Sequence, residues 1–166
     1  YKQSEIETVL NGQAPSEVCA GNPLMAAIKE GKHKDFAAYL LCAKKCESYN
    51  HSDSYWDEPE ALPASDDPLV DELRQGYKAT QDASLKWRYA FQIVRLLHYG
   101  GFWQEASLAY ETLAKPLAKD DNELMYYWTL SQYAGVLHGM EENVRSSYLF
   151  SVVFDQCPSL RTPAWY

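Results

Sequence analysis

Apolar residues recur along this chain at helical spacing, and the densest run lies between Ser84 and Lys115. Leu85, Trp87, Tyr89, Ala90, Phe91, Ile93, Val94, Leu96 and Leu97 leave little of a helical circumference polar, which predicts a helix covered on more than one side. The polar remainder falls in one narrow line: Arg88, Gln92 and Arg95, spaced i, i+4, i+7, share a face. Asp82 suits the N-cap, and Gly100 or Gly101 can supply the left-handed residue that stops the helix. A second helix restarts at Phe102 with Ala106, Leu108, Ala109, Tyr110, Leu113 and Ala114, and Pro116 breaks it. So short a link predicts an antiparallel hairpin.

The same pattern continues more weakly on both sides. Ile6, Val9 and Leu10 give a faint helical signal before a loop holding Pro15. Asn22-Pro23 is a capping residue followed by proline, and opens a short helix with Leu24, Met25, Ala27 and Ile28 that runs to Gly31. A longer helix follows from about His33 to Ser48, with Phe36, Ala37, Tyr39, Leu40, Leu41 and Ala43. Asn50 to Pro68 differs in kind: Asp53, Asp57, Glu58, Glu60, Asp66 and Asp67 stand there with three prolines and no Lys or Arg, which predicts a solvated loop. Asp67-Pro68 then opens a short helix over Leu69 to Lys78.

Beyond the hairpin, Asp120 and Glu123 form a capping-box pattern ahead of a helix ending at His138. Leu124, Tyr127, Leu130, Ala134 and Leu137 are expected on its buried face, and Gly139 at its end. Glu141 to Asp155 is the next helix, carrying Val144, Tyr148, Leu149, Val152, Val153 and Phe154, and Cys157-Pro158 closes it. Thr162-Pro163-Ala164-Trp165 is again a cap followed by proline, so a further helix is expected there. With Tyr1 rather than Met at the start, the expectation is a piece of a longer protein. Residues 1–49 would be an N-terminal helical unit, 50–68 the acidic loop, and 69–166 two hairpins plus the start of another helix.

Length and composition narrow the possibilities. A chain of 166 residues, 46% apolar and 14% aromatic, can bury one good core. A net charge of −8 argues against nucleic acid or an anionic membrane as partner, since both select basic surfaces. No apolar run reaches transmembrane length. Cys19, Cys42, Cys46 and Cys157 match neither a disulfide framework nor a Cys-x-x-Cys site, which leaves the compartment open, a soluble cytoplasmic chain being slightly favoured over a periplasmic one.

Gly101, Ala106 and Tyr110 recur as Gly139, Val144 and Tyr148, each 38 residues on (139−101, 144−106, 148−110). Periods of this size are how helical solenoids show in sequence. Gly101-Phe102-Trp103-Gln104-Glu105-Ala106, with Tyr110 four residues later, resembles the turn and second helix of the tetratricopeptide-repeat family. Val94 departs from the family, which prefers Gly or Ala there, and Val144 departs at the small position. The resemblance implies an all-α fold of antiparallel helical hairpins stacked as a short right-handed solenoid; a generic antiparallel bundle is the competing architecture. Either way each hairpin exposes an apolar face that its neighbours must cover, which is the expected work of Trp87, Trp103 and Trp128.

In that family the first helices of each pair line a concave groove for extended peptides. Carried over, Arg88, Phe91, Gln92, Arg95 and His98 would line it, joined by Tyr126, Thr129 and Tyr133 from the next first helix. Two arginines beside aromatic rings suit acidic or C-terminal carboxylate peptides, because guanidinium binds carboxylate through paired hydrogen bonds. The plainer alternative is a solvated stripe on a buried helix. Cys42 and Cys46, one turn apart, can offer two thiolates to zinc with His33 or His51, against the simpler role of small apolar packing residues. His98 and His138 stand near helix C-termini, where a cation is favoured by the helix dipole. No thiol or hydroxyl has a base and an orienting group beside it in sequence, and Gly100-Gly101 follows a helix rather than a strand. The expectation is therefore a non-catalytic binding or scaffolding module with no cofactor and no metal. Its partner would be a protein or an acidic peptide, with nucleic acid and membrane excluded. The rival class is a helical accessory domain packed on its neighbours in a larger enzyme or secreted protein.

Overall fold

The computed structural model describes residues 21, 23, 30, 33–49, 67–118 and 123–165, and every regular element among them is helical. The helical signals at Ile6 to Leu10 and Leu24 to Ile28, nearly all of the acidic loop, and Asp120 of the capping box lie outside the described residues.

Helix α1 (Lys34–Cys46) runs into a 3-10 turn, Glu47–Tyr49. Helix α2 (Pro68–Ala79) starts as the sequence predicts: Pro68 lies in the first turn and the Asp67 carboxylate accepts the Leu69 N–H at 2.8 Å. Tyr49 donates to the other Asp67 oxygen at 2.5 Å, which ties the end of α1 to the start of α2. Helix α3 (Ala83–Tyr99) is capped by Asp82, which accepts from the Leu85 N–H at 2.9 Å. Helix α4 (Trp103–Ala109) continues through a wider π turn, Tyr110–Ala114, and a 3-10 turn, Lys115–Leu117. Pro116 has no N–H to return to the preceding turn, and the helix loosens as it approaches it. There Tyr77 of α2 donates to the Leu113 carbonyl at 2.9 Å. Helices α5 (Glu123–Gly139) and α6 (Asn143–Gln156) form the next pair. A 3-10 turn, Pro158–Leu160, leads to α7 (Arg161–Trp165), so Thr162 lies inside the last helix instead of capping it.

Each helix packs on its chain neighbour, and α1, α3 and α5 also pack side by side. Helix α3 is central: Trp87, Ile93, Val94, Leu96 and Leu97 are enclosed from both flanks, within one continuous core. At Gly76, inside α2, a Cβ would lie 2.5 Å from the Tyr89 ring, so the missing side chain is what lets α3 lie against α2 there.

The two central pairs share helix spacing, bend hydrogen bonds and burial at an offset of 40 residues. Helices α3 and α5 begin and end 40 residues apart (123−83, 139−99). The Gly101 and Phe102 amides donate to the His98 and Leu97 carbonyls, and the Glu141 and Glu142 amides repeat this to His138 and Leu137. Tyr89, Ala90, Ile93, Val94, Leu96 and Leu97 are buried, as are Thr129, Leu130, Tyr133, Ala134, Val136 and Leu137 at the matching places. The sequence pairing at 38 residues is therefore two residues short. Ala106 is fully enclosed and Tyr110 buried, whereas Val144 is 87% and Tyr148 66% exposed. The residue equivalent to Ala106 is Ser146, which is 3% exposed.

The bends carry the same backbone with different residues. Gly101 has φ 76°, which glycine adopts freely, while Glu141 holds φ 65° with a side chain attached. A left-handed residue other than glycine costs about 1–2 kcal/mol, and glycine returns about 0.5–1 kcal/mol of that as unfolded-state entropy. Glu141→Gly should therefore raise stability by roughly 0.5–1 kcal/mol and Gly101→Ala lower it by roughly 1 kcal/mol, read as opposite shifts of the urea midpoint at constant slope. Equal losses in both variants would refute the equivalence of the two bends.

Candidate functional site

The residues expected to form a groove divide into two sets. Arg88 folds back along its own helix and donates to the Ser84 carbonyl at 3.1 Å and to the Ser84 hydroxyl. Gln92, expected in the groove or on a solvated stripe, is buried near Tyr39 of α1, and its Oε1 has no partner among the described residues. The reason is that α1 lies along this side of α3 and covers the line at its midpoint.

Arg95 remains half-exposed. Its Nη2 donates to the Cys46 carbonyl at the end of α1 (3.2 Å), a cation at a helix C-terminus where the dipole favours it. The guanidinium stands 5.8 Å from each of the Phe91 and Tyr99 ring centres, and its Nε is buried without a partner among the described residues. Phe91 continues to Trp128, with ring centres 5.9 Å apart. Phe91, Arg95, Tyr99, Trp128, Ser131, Gln132 and Leu160 line an open cleft of about 190 Å³.

Three α5 residues expected beside Arg95 lie elsewhere. Thr129 is fully enclosed and donates to the Met125 carbonyl at 2.7 Å. Tyr133 is buried, stacked flat on Tyr110 with ring centres 3.9 Å apart and 7° between planes, and its hydroxyl lies 3.3 Å from Glu111 and 3.4 Å from Arg145. Tyr126 meets Trp87 edge-on. The α5 face that does reach the cleft is Trp128, Ser131 and Gln132, spaced i, i+3, i+4. Helix α5 is apolar around its circumference, so polarity did not mark this side; the small polar pair beside an exposed tryptophan was the available signal. Leu124, expected to be buried, is 55% exposed.

His98, the fifth α3 residue, turns away from Arg95 and toward α5. Its Nδ1 lies 2.8 Å from Gln132 Oε1, and its ring is 5.7 Å from that of Trp103. With Trp103, Gly135, Gly139, Asn143, Ser147 and Phe150 among its neighbours it lines a second cleft, about 510 Å³, behind the two bends.

No group of three or more His, Cys, Asp or Glu suited to a metal occurs among the described residues. His51 and Cys19 lie outside them. Cys42 and Cys46 are buried, with Cys42 Sγ 3.5 Å from Glu72, and Cys157 is buried as well. Burial, reinforced by Glu72, pushes the Cys42 thiol up to about 11, and burial pushes Cys46 up to about 12. Tyr89 is raised to about 12 by burial. The unfolded chain loses these thiol protons near 9.0 while the folded chain retains them. Since stability rises with pH only where the unfolded state holds more protons, it must fall here as pH climbs from about 9. Urea midpoints should be level between about pH 7 and 8.5 and then drop, with Cys46→Ala flattening part of the alkaline slope. A rising midpoint across that range would contradict the buried, protonated thiols.

No helix among the described residues is long and apolar enough to cross a membrane. No protein-family model, curated protein or solved structure matches the chain.

Proposed function

We propose that this chain is a non-catalytic, tetratricopeptide-like helical-repeat module that binds a peptide segment of another protein along the α3–α5 face. The observation that supports it most is Arg95, a cation bracketed by Phe91 and Tyr99 and opening onto Trp128, Ser131 and Gln132. The 40-residue offset shared by the two pairs is the support for a stacked array. A guanidinium among aromatic walls selects a carboxylate next to an apolar side chain, in an otherwise acidic protein that discourages nonspecific anion binding. Because Arg95 also holds the end of α1, its replacement would mix folding with binding. Trp128, 39% exposed, is the cleaner probe.

Panning displayed random peptides on the chain should enrich sequences with Asp, Glu or a free C-terminal carboxylate beside an apolar residue. Trp128→Ala should weaken the enriched peptides about tenfold or more, as removal of a buried aromatic anchor does. Enrichment indifferent to Trp128→Ala would reject this face. The accessory-domain reading has its own support in Val144 and Tyr148, which expose an apolar strip on the outer side of α6. It predicts no enrichment at all.

A further inference from the structure

We infer that the cleft behind the two bends is a binding site for a small, uncharged, planar aromatic ring that carries a hydrogen-bond acceptor. It stands apart from the Arg95 face and does not depend on the peptide-binding proposal. About 510 Å³ falls within the roughly 300–1,000 Å³ typical of small-molecule sites.

Its floor is flat for a physical reason. Gly135 and Gly139 are one helical turn apart on α5, and each accepts a ring in place of a side chain. A Cβ on Gly135 would lie 2.5 Å from His98 Cε1, and one on Gly139 would lie 2.6 Å from the Trp103 ring fusion. The imidazole and indole are thus laid onto the helix backbone, and Phe150 of α6 supplies a further apolar wall. A planar ligand gains most from such surfaces, through offset or edge-on ring contacts worth about 0.5–1.5 kcal/mol beyond burial.

The charge follows from what the lining lacks. In a chain that is 23% Asp, Glu, Lys and Arg, none of these four types lines the cleft. A carboxylate or ammonium entering it would lose hydration with no ionisable side chain to replace it apart from the imidazoles of His98 and His138. The acceptor follows from the donors left over. Ser146 is committed to the Ala134 carbonyl (2.8 Å), and the Asn143 carbonyl oxygen to His138 Nδ1 (3.0 Å). The Trp103 indole N–H and the Ser147 hydroxyl have no hydrogen-bond partner among the described residues. An indole N–H can only donate, so the ligand must accept.

The test is titration of the ¹⁵N-labelled chain with benzamide, followed through the Trp103 indole N–H and the Gly135 and Gly139 amides. Saturable shifts at these three groups are expected at millimolar benzamide. Cyclohexanecarboxamide keeps the amide without the planar ring, and benzoate keeps the ring with a charge; both should bind about tenfold or more weakly. Ser147→Trp, at an exposed α6 position, should fill the cleft and remove the benzamide shifts. N-acetyl-phenylalanine amide distinguishes the source: tighter than benzamide assigns the ring to a peptide side chain, weaker to a free molecule. Absence of saturable shifts, or equal shifts with cyclohexanecarboxamide, overturns the proposal without need of any variant, and shifts that persist in a folded Ser147→Trp chain overturn it as well.

Discussion

Trp87→Ala should destabilise the chain by about 3–5 kcal/mol, the usual cost of removing a large side chain from a core that cannot collapse around the hole. Trp87 is fully enclosed in α3 and meets Tyr126 edge-on, ring centres 6.1 Å apart at 88°. Domains commonly have only about 5–15 kcal/mol in total, so this variant should be unfolded well below the temperature that melts the parent. Trp87→Phe separates two contributions. The indole N–H is buried with no partner among the described residues, an arrangement that costs about 1–3 kcal/mol. Phenylalanine gives up ring volume but also removes that orphan donor, so it should lie within about 1 kcal/mol of the parent. Equilibrium urea unfolding of both variants decides the matter. A phenylalanine variant as weak as the alanine one would mean that the N–H is satisfied and contributes to stability.

The helix boundaries of this protein are largely written in local chemistry. Asp67-Pro68 and Asp82 start α2 and α3 where the capping rules place them, because a cap needs only residues two or three positions away. The burial of α3 was equally legible, since apolar residues surround it. What local chemistry does not encode is which side of a uniformly apolar helix meets which neighbour. Thr129 and Gln92 have polar side chains and are buried, while Leu124, Val144 and Tyr148 are exposed. These positions were settled by packing partners distant in sequence: α1 across Gln92, and α4 and α6 around α5. Phe91 and Arg95 were named through the resemblance of α3 to a first repeat helix, whereas Trp128, Ser131 and Gln132, which line the same cleft, were not, because a small polar pair beside a tryptophan is a weak signal on a helix apolar around its circumference.

Gly139→Ala exposes the other limit, which is that one residue type can answer two needs. Read locally, Gly139 is a helix-stopping glycine and the counterpart of Gly101. In the fold it is the last residue of α5, and Glu141 holds the left-handed bend. Gly139 is small because the Trp103 indole rests on it, with a Cβ predicted only 2.6 Å from the ring fusion. That edge cannot swing aside as the tip of a flexible chain would, because the indole is itself braced by His98. Overpacking should cost about 1–3 kcal/mol, against up to about 1 kcal/mol regained from alanine's better helix propensity, for a net loss of roughly 1–2 kcal/mol. The two explanations separate in the Trp103→Ala background. If the indole is the obstacle, Gly139→Ala becomes neutral or stabilising there, with a coupling of about 0.5–3 kcal/mol between the positions. If a special backbone conformation is the obstacle, the penalty persists unchanged with the ring removed. Urea midpoints for the four members of the cycle suffice, and a coupling near zero would return Gly139 to the role of a turn residue.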